Sequence, residues 1–248
     1  MKATHVSVGL ASIVLGTWSG FAGEIAVENP APAFPIYGTV SAGYDLFRGG
    51  LYGDNAPWAG IDLNYDVSDK LSLNFGTWYT NPTNDLALVS DELDLYAFAV
   101  MPLECPLTGA WELAVGGTWF YFAEDSADEG ELNLLLSKSI GDLFDLTVDY
   151  AYDLTYAGHY IGFYADKTVP LTDCLDLNLG TGMGHGDGNY NFLVGAGDHV
   201  YVRGGLTWHL TDRADLSGYV LGNFPYGDLE DNGQESDVYG GASLSVSF

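Results

Sequence analysis

The sequence predicts an all-β fold, an antiparallel transmembrane β-barrel of about twelve strands with both termini periplasmic, and three observations carry that expectation. In the C-terminal segment, Val238, Ala242, Leu244, Val246 and Phe248 fall on one face and Tyr239, Ser243, Ser245 and Ser247 on the other. A strand with lipid on one side and water on the other has this alternation. Similar segments, each about ten residues long, recur from Tyr37 onward, as membrane strands do. The 248 residues are 47% apolar and only 17% charged, with 33 Gly, 17 Tyr and 6 Trp. No long apolar run occurs beyond residue 22, which excludes a bundle of membrane helices and fits a membrane protein built from strands.

The N-terminus agrees with export. Lys2 precedes an almost wholly apolar run, Val6 to Leu15, and Gly20, Phe21 and Ala22 supply the small residues a signal peptidase needs. Residues 1–22 therefore read as a signal peptide cleaved after Ala22. The run is too short to cross about 30 Å of hydrocarbon as a helix, which disfavours an anchor. No Cys follows the site, so lipidation is not indicated. Residues 23–36, rich in Pro and Ala, form a periplasmic lead-in, and 37–248 form one barrel domain.

The first strand pair falls near 37–47 and 58–67. Val40, Ala42, Tyr44 and Leu46, then Ala59, Ile61, Leu63, Tyr65 and Val67, face lipid on this reading. The next pair, near 71–80 and 91–101, follows a tight Ser68-Asp69-Lys70 turn and turns Leu71, Leu73, Phe75, Tyr79 and Leu93, Leu95, Ala97, Ala99 outward. The same register continues through 110–122, 131–138, 144–153 and 158–169, and then through 174–183, 199–210, 214–224 and 237–248. An even strand count returns both termini to one side of the membrane. The longer stretches 48–57, 81–90, 123–130, 184–197 and 225–236 read as external loops. The shorter Ser139 to Asp142 and Thr211-Asp212-Arg213 read as periplasmic turns. The 154–157 connection is short for an external loop and leaves the count open by two strands. The terminal strand ending in Phe248 resembles the signal read by the barrel-assembly machinery, which is expected as a partner together with outer-membrane lipid.

A soluble β-sandwich would also alternate, but it would carry solubilising Lys and Glu on its polar face. Here aromatics gather near strand ends (Trp58, Trp78, Tyr79, Trp111, Trp119, Tyr121, Tyr150, Tyr152, Trp208, Phe224, Phe248), as in two interfacial girdles. A net charge of −27 with seven Lys and Arg excludes nucleic acid as a partner. The same acidity argues against docking to an anionic membrane surface through basic patches.

Three stretches, Tyr44-Asp45-Leu46-Phe47-Arg48-Gly49-Gly50, Ala56-Pro57-Trp58-Ala59-Gly60-Ile61-Asp62-Leu63 and Glu92-Leu93-Asp94-Leu95-Tyr96, occur in that order. Together they resemble the opening of the TorF-type porins of bacterial outer membranes. The match covers about 37–100 by motif and the remainder by strand pattern, which is the kind of alternation expected of such barrels. The chain lacks the Ser or Gln that commonly follows Phe-Arg-Gly in that family, and its Cys pair is not a family feature. The resemblance implies a passive channel, located in the bacterial outer membrane.

On the predicted registers the inward face carries Asp45, Asp62, Asp66, Asp94, Glu112, Glu131, Asp145, Asp149, Asp153, Asp166, Asp176 and Asp215 against Arg203 and Arg48. Fixed negative charge in a narrow bore concentrates cations and repels anions, so a cation-selective porin for small ions or solutes is expected. Generic solvation of the acids in a salty habitat is the plainer alternative. Arg48 is expected to brace the first external loop, and Arg203 to form bidentate pairs that brace the bore. The acidic stretches at 124–129 and 228–233 lack the spacing of a calcium loop, and His185-Gly186-Asp187 reads as loop, so neither a metal nor a cofactor is indicated.

Cys105 and Cys174 both fall in predicted periplasmic connections and can form a disulfide only if their Cα atoms approach within about 7 Å. Beyond the leader the histidines are His159, His185, His199 and His209, and none has a flanking Ser motif, so no catalytic residues are assigned. A competing reading is a structural or adhesin-like barrel plugged by Tyr96, Phe98, Tyr160, Tyr164 and Tyr201.

Overall fold

The structure is a computed structural model that describes residues 36–46, 55–81, 91–105, 109–122, 128–187, 198–231 and 235–248. The signal peptide, the lead-in up to residue 35, and Arg48 with its bracing role lie outside the described residues. Twelve strands follow one another: β1 (Ile36–Leu46), β2 (Ala56–Ser68), β3 (Leu71–Thr80), β4 (Glu92–Cys105), β5 (Gly109–Phe122), β6 (Glu129–Ile140), β7 (Phe144–Asp153), β8 (His159–Thr172), β9 (Leu175–Gly186), β10 (His199–Thr211), β11 (Ala214–Pro225) and β12 (Asp237–Ser247). One short helical turn, α1 (Asp228–Asp231), precedes β12. Each strand pairs antiparallel with its sequence neighbour, and β1 pairs with β12 to close the barrel. Closure removes every unpaired sheet edge, which a strand in hydrocarbon cannot leave open.

The seam is sealed at one rim by reciprocal backbone bonds, Gly38 N to Phe248 O at 3.1 Å and Phe248 N to Gly38 O at 3.0 Å. At this rim lie the short turns 69–70, 141–143, 173–174 and 212–213, the facing ends of β4 and β5, and both described ends of the chain. The opposite rim carries the 154–158 connection and the other ends of the strands. The 154–158 connection turns tightly, with Ala157 at a φ of 57°. It joins β7 directly to β8, so the brevity that left the count open does not remove a strand pair. Ladder irregularities at Asp66/Ser68, Pro170/Thr172 and His209/Thr211 all sit near the short-turn rim, where strands end and twist.

Alternation decides which side each residue takes. On β12, Val238, Leu244 and Val246 are exposed on the outer face, as is Phe248 just beyond it, while Tyr239 is buried inside. The outer wall is apolar around the circumference, from Val40 and Ile61 through Leu95, Trp119, Leu134 and Phe163 to Val202 and Val220. This is a lipid-facing surface. Two girdle residues need correction. Trp58 and Trp78 are buried inside the barrel, because they share the inward parity of Asp62 on β2 and Asn74 on β3. The Gly-rich loop read from residue 184 also begins later, since β9 runs to Gly186.

Candidate functional site: the barrel interior

The inner wall is built by strand parity, and its large side chains are seated by glycines. Tyr201 on β10 and Tyr164 on β8 share one cross-strand partner, Gly182 on β9. A β-carbon on Gly182 would stand 2.5 Å from Tyr164 Cδ1 and 2.6 Å from Tyr201 Cε1. One row below, Arg203 and Asp166 flank Gly180 in the same way. Across the seam, Asp45 on β1 and Tyr219 on β11 flank Gly241 on β12. Elsewhere Trp58 faces Gly43, Trp78 faces Gly60, Tyr96 faces Gly76 and Phe98 faces Gly116. Each ring therefore lies along the wall on a neighbour without a Cβ.

On β8 to β12 the rings form a packed layer. Tyr164 and Tyr201 have centroids 6.1 Å apart, and His199 stacks 6.4 Å from Tyr201. The hydroxyls of Tyr160 and Tyr164 approach to 2.5 Å. Beside this layer, on the short-turn side, runs an arc of uncharged donors and acceptors. Thr168 donates to Asn178 at 3.0 Å, Asn178 donates to Thr207 at 2.9 Å, and Thr207 and Ser217 are 2.9 Å apart. Ser41 and Ser245 continue it over the seam at 2.9 Å. A cavity of about 60 Å³ lies among Ser41, Ser217, Ser243, Ser245, Tyr219 and Arg203.

The acids expected on the inner wall all have inward parity and are spread around it, with Glu131 opposite Asp153 and Asp145 opposite Asp166 across neighbouring strands. Asp45 is fully buried and accepts bonds from the Tyr219 hydroxyl at 2.7 Å and Trp58 Nε1 at 3.3 Å. Asp62, Asp94 and Asp149 are buried at separate places around the wall. Asp145, half-buried, accepts a 2.6 Å bond from Ser139. Asp66 and Glu112 lie near the short-turn rim, where with Asp69 and Ser72 they border a depression of about 510 Å³. Asp176 and Asp215 hold His209 between them, at 3.0 Å from Nε2 and 2.7 Å from Nδ1.

Arg203 is 9% exposed and donates through Nη2 to Asp166 Oδ1 at 3.0 Å. The contact is single, not the bidentate pair expected from sequence. The guanidinium reaches Asp166 sideways across Gly180, which presents one carboxylate oxygen to it. The disulfide expectation also needs correction: Cys105 and Cys174 are not joined. Cys105 ends β4 and Cys174 sits in the β8–β9 turn, with β5 to β7 between them on the barrel wall. Neighbouring strands stand about 4.8 Å apart, so the two sulfurs are far beyond bridging range.

Sequence reasoning missed three features. The glycine stripe Gly180, Gly182, Gly184, Gly186 alternates inside β9; its spacing of two was visible, but its role needed the register. His185 faces outward and pairs with Asp198 at 2.5 Å rather than with Asp187. Tyr226, just past β11, donates to Gly184 O at 2.8 Å, and burial together with the Asp198 carboxylate pushes its hydroxyl above the usual tyrosine value.

No family model matches the chain, and no curated protein matches it in sequence. Solved structures do match in shape. The KdgM porin aligns with a TM-score of 0.56 at 10% identity, over 85% of this chain and 99% of its own. The COG4313 outer membrane channel from Pseudomonas putida F1 aligns with a TM-score of 0.55 at 12% identity, over 88% and 96%. The NanC porin aligns with a TM-score of 0.53 at 12% identity, over 84% and 98%. With these channels the chain shares the fold of a closed outer-membrane β-barrel.

Proposed function

We propose that the protein is an outer-membrane porin that passes small solutes by passive diffusion and favours cations. The observation that carries the reading is the sorting of charge: every carboxylate borne by a strand has inward parity, against Arg203, which Asp166 already neutralises. In a bore walled by low-dielectric protein and lipid, that excess draws cations in and repels anions. The likeness in fold to the KdgM and NanC porins supports the channel role. The motifs between Tyr44 and Tyr96 support kinship with the TorF-type porins. The short-turn rim is periplasmic on this reading, with the leader 1–22 removed on export and Phe248 presented to the assembly machinery.

Rings seated on glycines are packed close to the wall, and Tyr160, Tyr164, Tyr201 and Tyr239 are all buried, so the bore is constricted at their level. One observation weighs against catalysis. His209 has both ring nitrogens engaged by carboxylates, so it is not placed to activate a nucleophile. The test is recording from the refolded mature protein in a planar bilayer under a KCl gradient. Discrete conductance steps with a reversal potential of cation sign are expected. An anion-sign potential overturns the selectivity, and silence from protein verified as folded overturns the channel.

A further inference from the structure

The two lysines carried by strands, Lys138 on β6 and Lys167 on β8, stand on the lipid-facing parity, opposite to every strand carboxylate. Among the described residues neither lysine has an ion-pair partner within 4 Å, and the acids of the same strands point into the bore. Both are drawn to the short-turn rim. Lys138 Nζ lies 5.3 Å from the centre of the Trp111 ring, its cross-strand neighbour next to Ser137 and Glu112. A β-carbon on Gly109, at the very start of β5, would be 3.6 Å from the same ammonium. Lys167 donates to the backbone carbonyl of Asp142 in the β6–β7 turn. Between them the wall is apolar, with Phe144 and Leu146 on β7. The remaining described basic residues outside the bore, Lys70 and Arg213, occupy turns of the same rim.

An ammonium on the lipid face is tolerated where its stem can snorkel to the interface and a counter-charge waits there. Trp beside Lys marks that depth. We propose that Trp111, Lys138 and Lys167 form a binding site for the phosphate headgroup of an anionic phospholipid, whose acyl chains lie on Phe144 and Leu146. The net charge of −27 does not oppose this, because the strand acids face the other side of the wall. The site fixes the short-turn rim in the phospholipid leaflet. It rests on the membrane-spanning fold and not on channel activity.

The test is native mass spectrometry of the folded mature barrel, taken from micelles holding equal phosphatidylglycerol and phosphatidylethanolamine. Retention of phosphatidylglycerol is expected to exceed that of phosphatidylethanolamine by about tenfold or more, the order given by two lysines at an anionic surface. Lys138→Gln with Lys167→Gln should abolish the preference, Lys138→Arg with Lys167→Arg should keep it, and Lys70→Gln should leave it unchanged. Equal retention of the two lipids overturns the proposal, as does a preference that survives the double Gln variant or is lost with Lys70→Gln. Selective retention of lipid A phosphate instead of phosphatidylglycerol also overturns it. Heat-modifiable gel mobility establishes folding for each variant, and the Arg pair separates charge from packing if the Gln pair does not fold.

Discussion

Tyr164 lies flat across Gly182, with Cδ1 2.5 Å from where a β-carbon on that glycine would stand. Tyr201 occupies the other side of the same glycine at 2.6 Å. Any side chain at 182 must therefore lift two buried rings off the wall and into the bore. Gly182→Val is expected to cost about 1–3 kcal/mol of stability through overpacking and to lower single-channel conductance. Gly204→Ala is the control, since a β-carbon there meets nothing within 4 Å. A thermal midpoint and a conductance histogram on both variants decide the matter; equal behaviour would refute the seating argument.

The Arg203–Asp166 pair repeats that geometry with charge. Side-chain exposures of 9% and 18% put it in a poorly solvated part of the wall, where removing one partner strands the other. Arg203→Gln is expected to destabilise the barrel by about 3–5 kcal/mol, the usual cost of an orphaned buried charge. Because it also unmasks a carboxylate, it should move the reversal potential further toward the cation limit. Arg203→Gln with Asp166→Asn should recover most of the stability. Urea unfolding of the single and double variants supplies the check.

Most of the architecture was readable because a membrane strand is specified by its own alternation. Leu73, Phe75 and Tyr79 on β3 declare the outer face without reference to any other strand, and so do Trp119 and Tyr121 on β5. The inward acids follow by parity. What the chain does not display is register. Gly241 reads as a weak point of β12 until pairing puts it between Asp45 and Tyr219, and Gly180 has no meaning before Asp166 and Arg203 stand on either side of it. Trp58 and Trp78 were assigned to the lipid face because amphipathic indoles favour interfaces, yet the parity of Ala59, Ile61 and Tyr79 already turned them inward. His185 and Asp198 belong to different sides of a long connection, so their pairing lies beyond local pattern.

Closure at the seam supplies a further prediction. Asp45 gathers the Tyr219 hydroxyl and the Trp58 indole, tying β1 to β11 over the glycine of β12. Tyr219→Phe removes one bond to a buried carboxyl group and is expected to cost about 1–3 kcal/mol. Asp45→Ala should cost more, because it removes the acceptor of both bonds at once. The effect belongs in the unfolding arm of the kinetics if the seam closes late in folding, and urea jumps on the two variants measure it. Variants that unfold at the rate of the parent, with unchanged equilibrium midpoints, would show that the seam is held by the backbone ladder alone.

The cysteines give the last prediction. Cys105 at the end of β4 and Cys174 in the β8–β9 turn lie on the same rim but on separated parts of the wall. The barrel cannot bring them together without breaking ladders that are continuous through β5, β6 and β7. A monomer folded in an oxidising environment is therefore expected to contain no intramolecular Cys105–Cys174 bridge, whatever the redox potential around it. Denaturing the folded protein in the presence of an alkylating reagent should label two thiols per chain, and reductant should leave the unfolding midpoint where it was. Exposed Cys174 should react first in the folded state, ahead of the partly covered Cys105. A peptide joining the two residues in a non-reducing digest of folded monomer would contradict the barrel order itself, since a bond of that length cannot span three intervening strands.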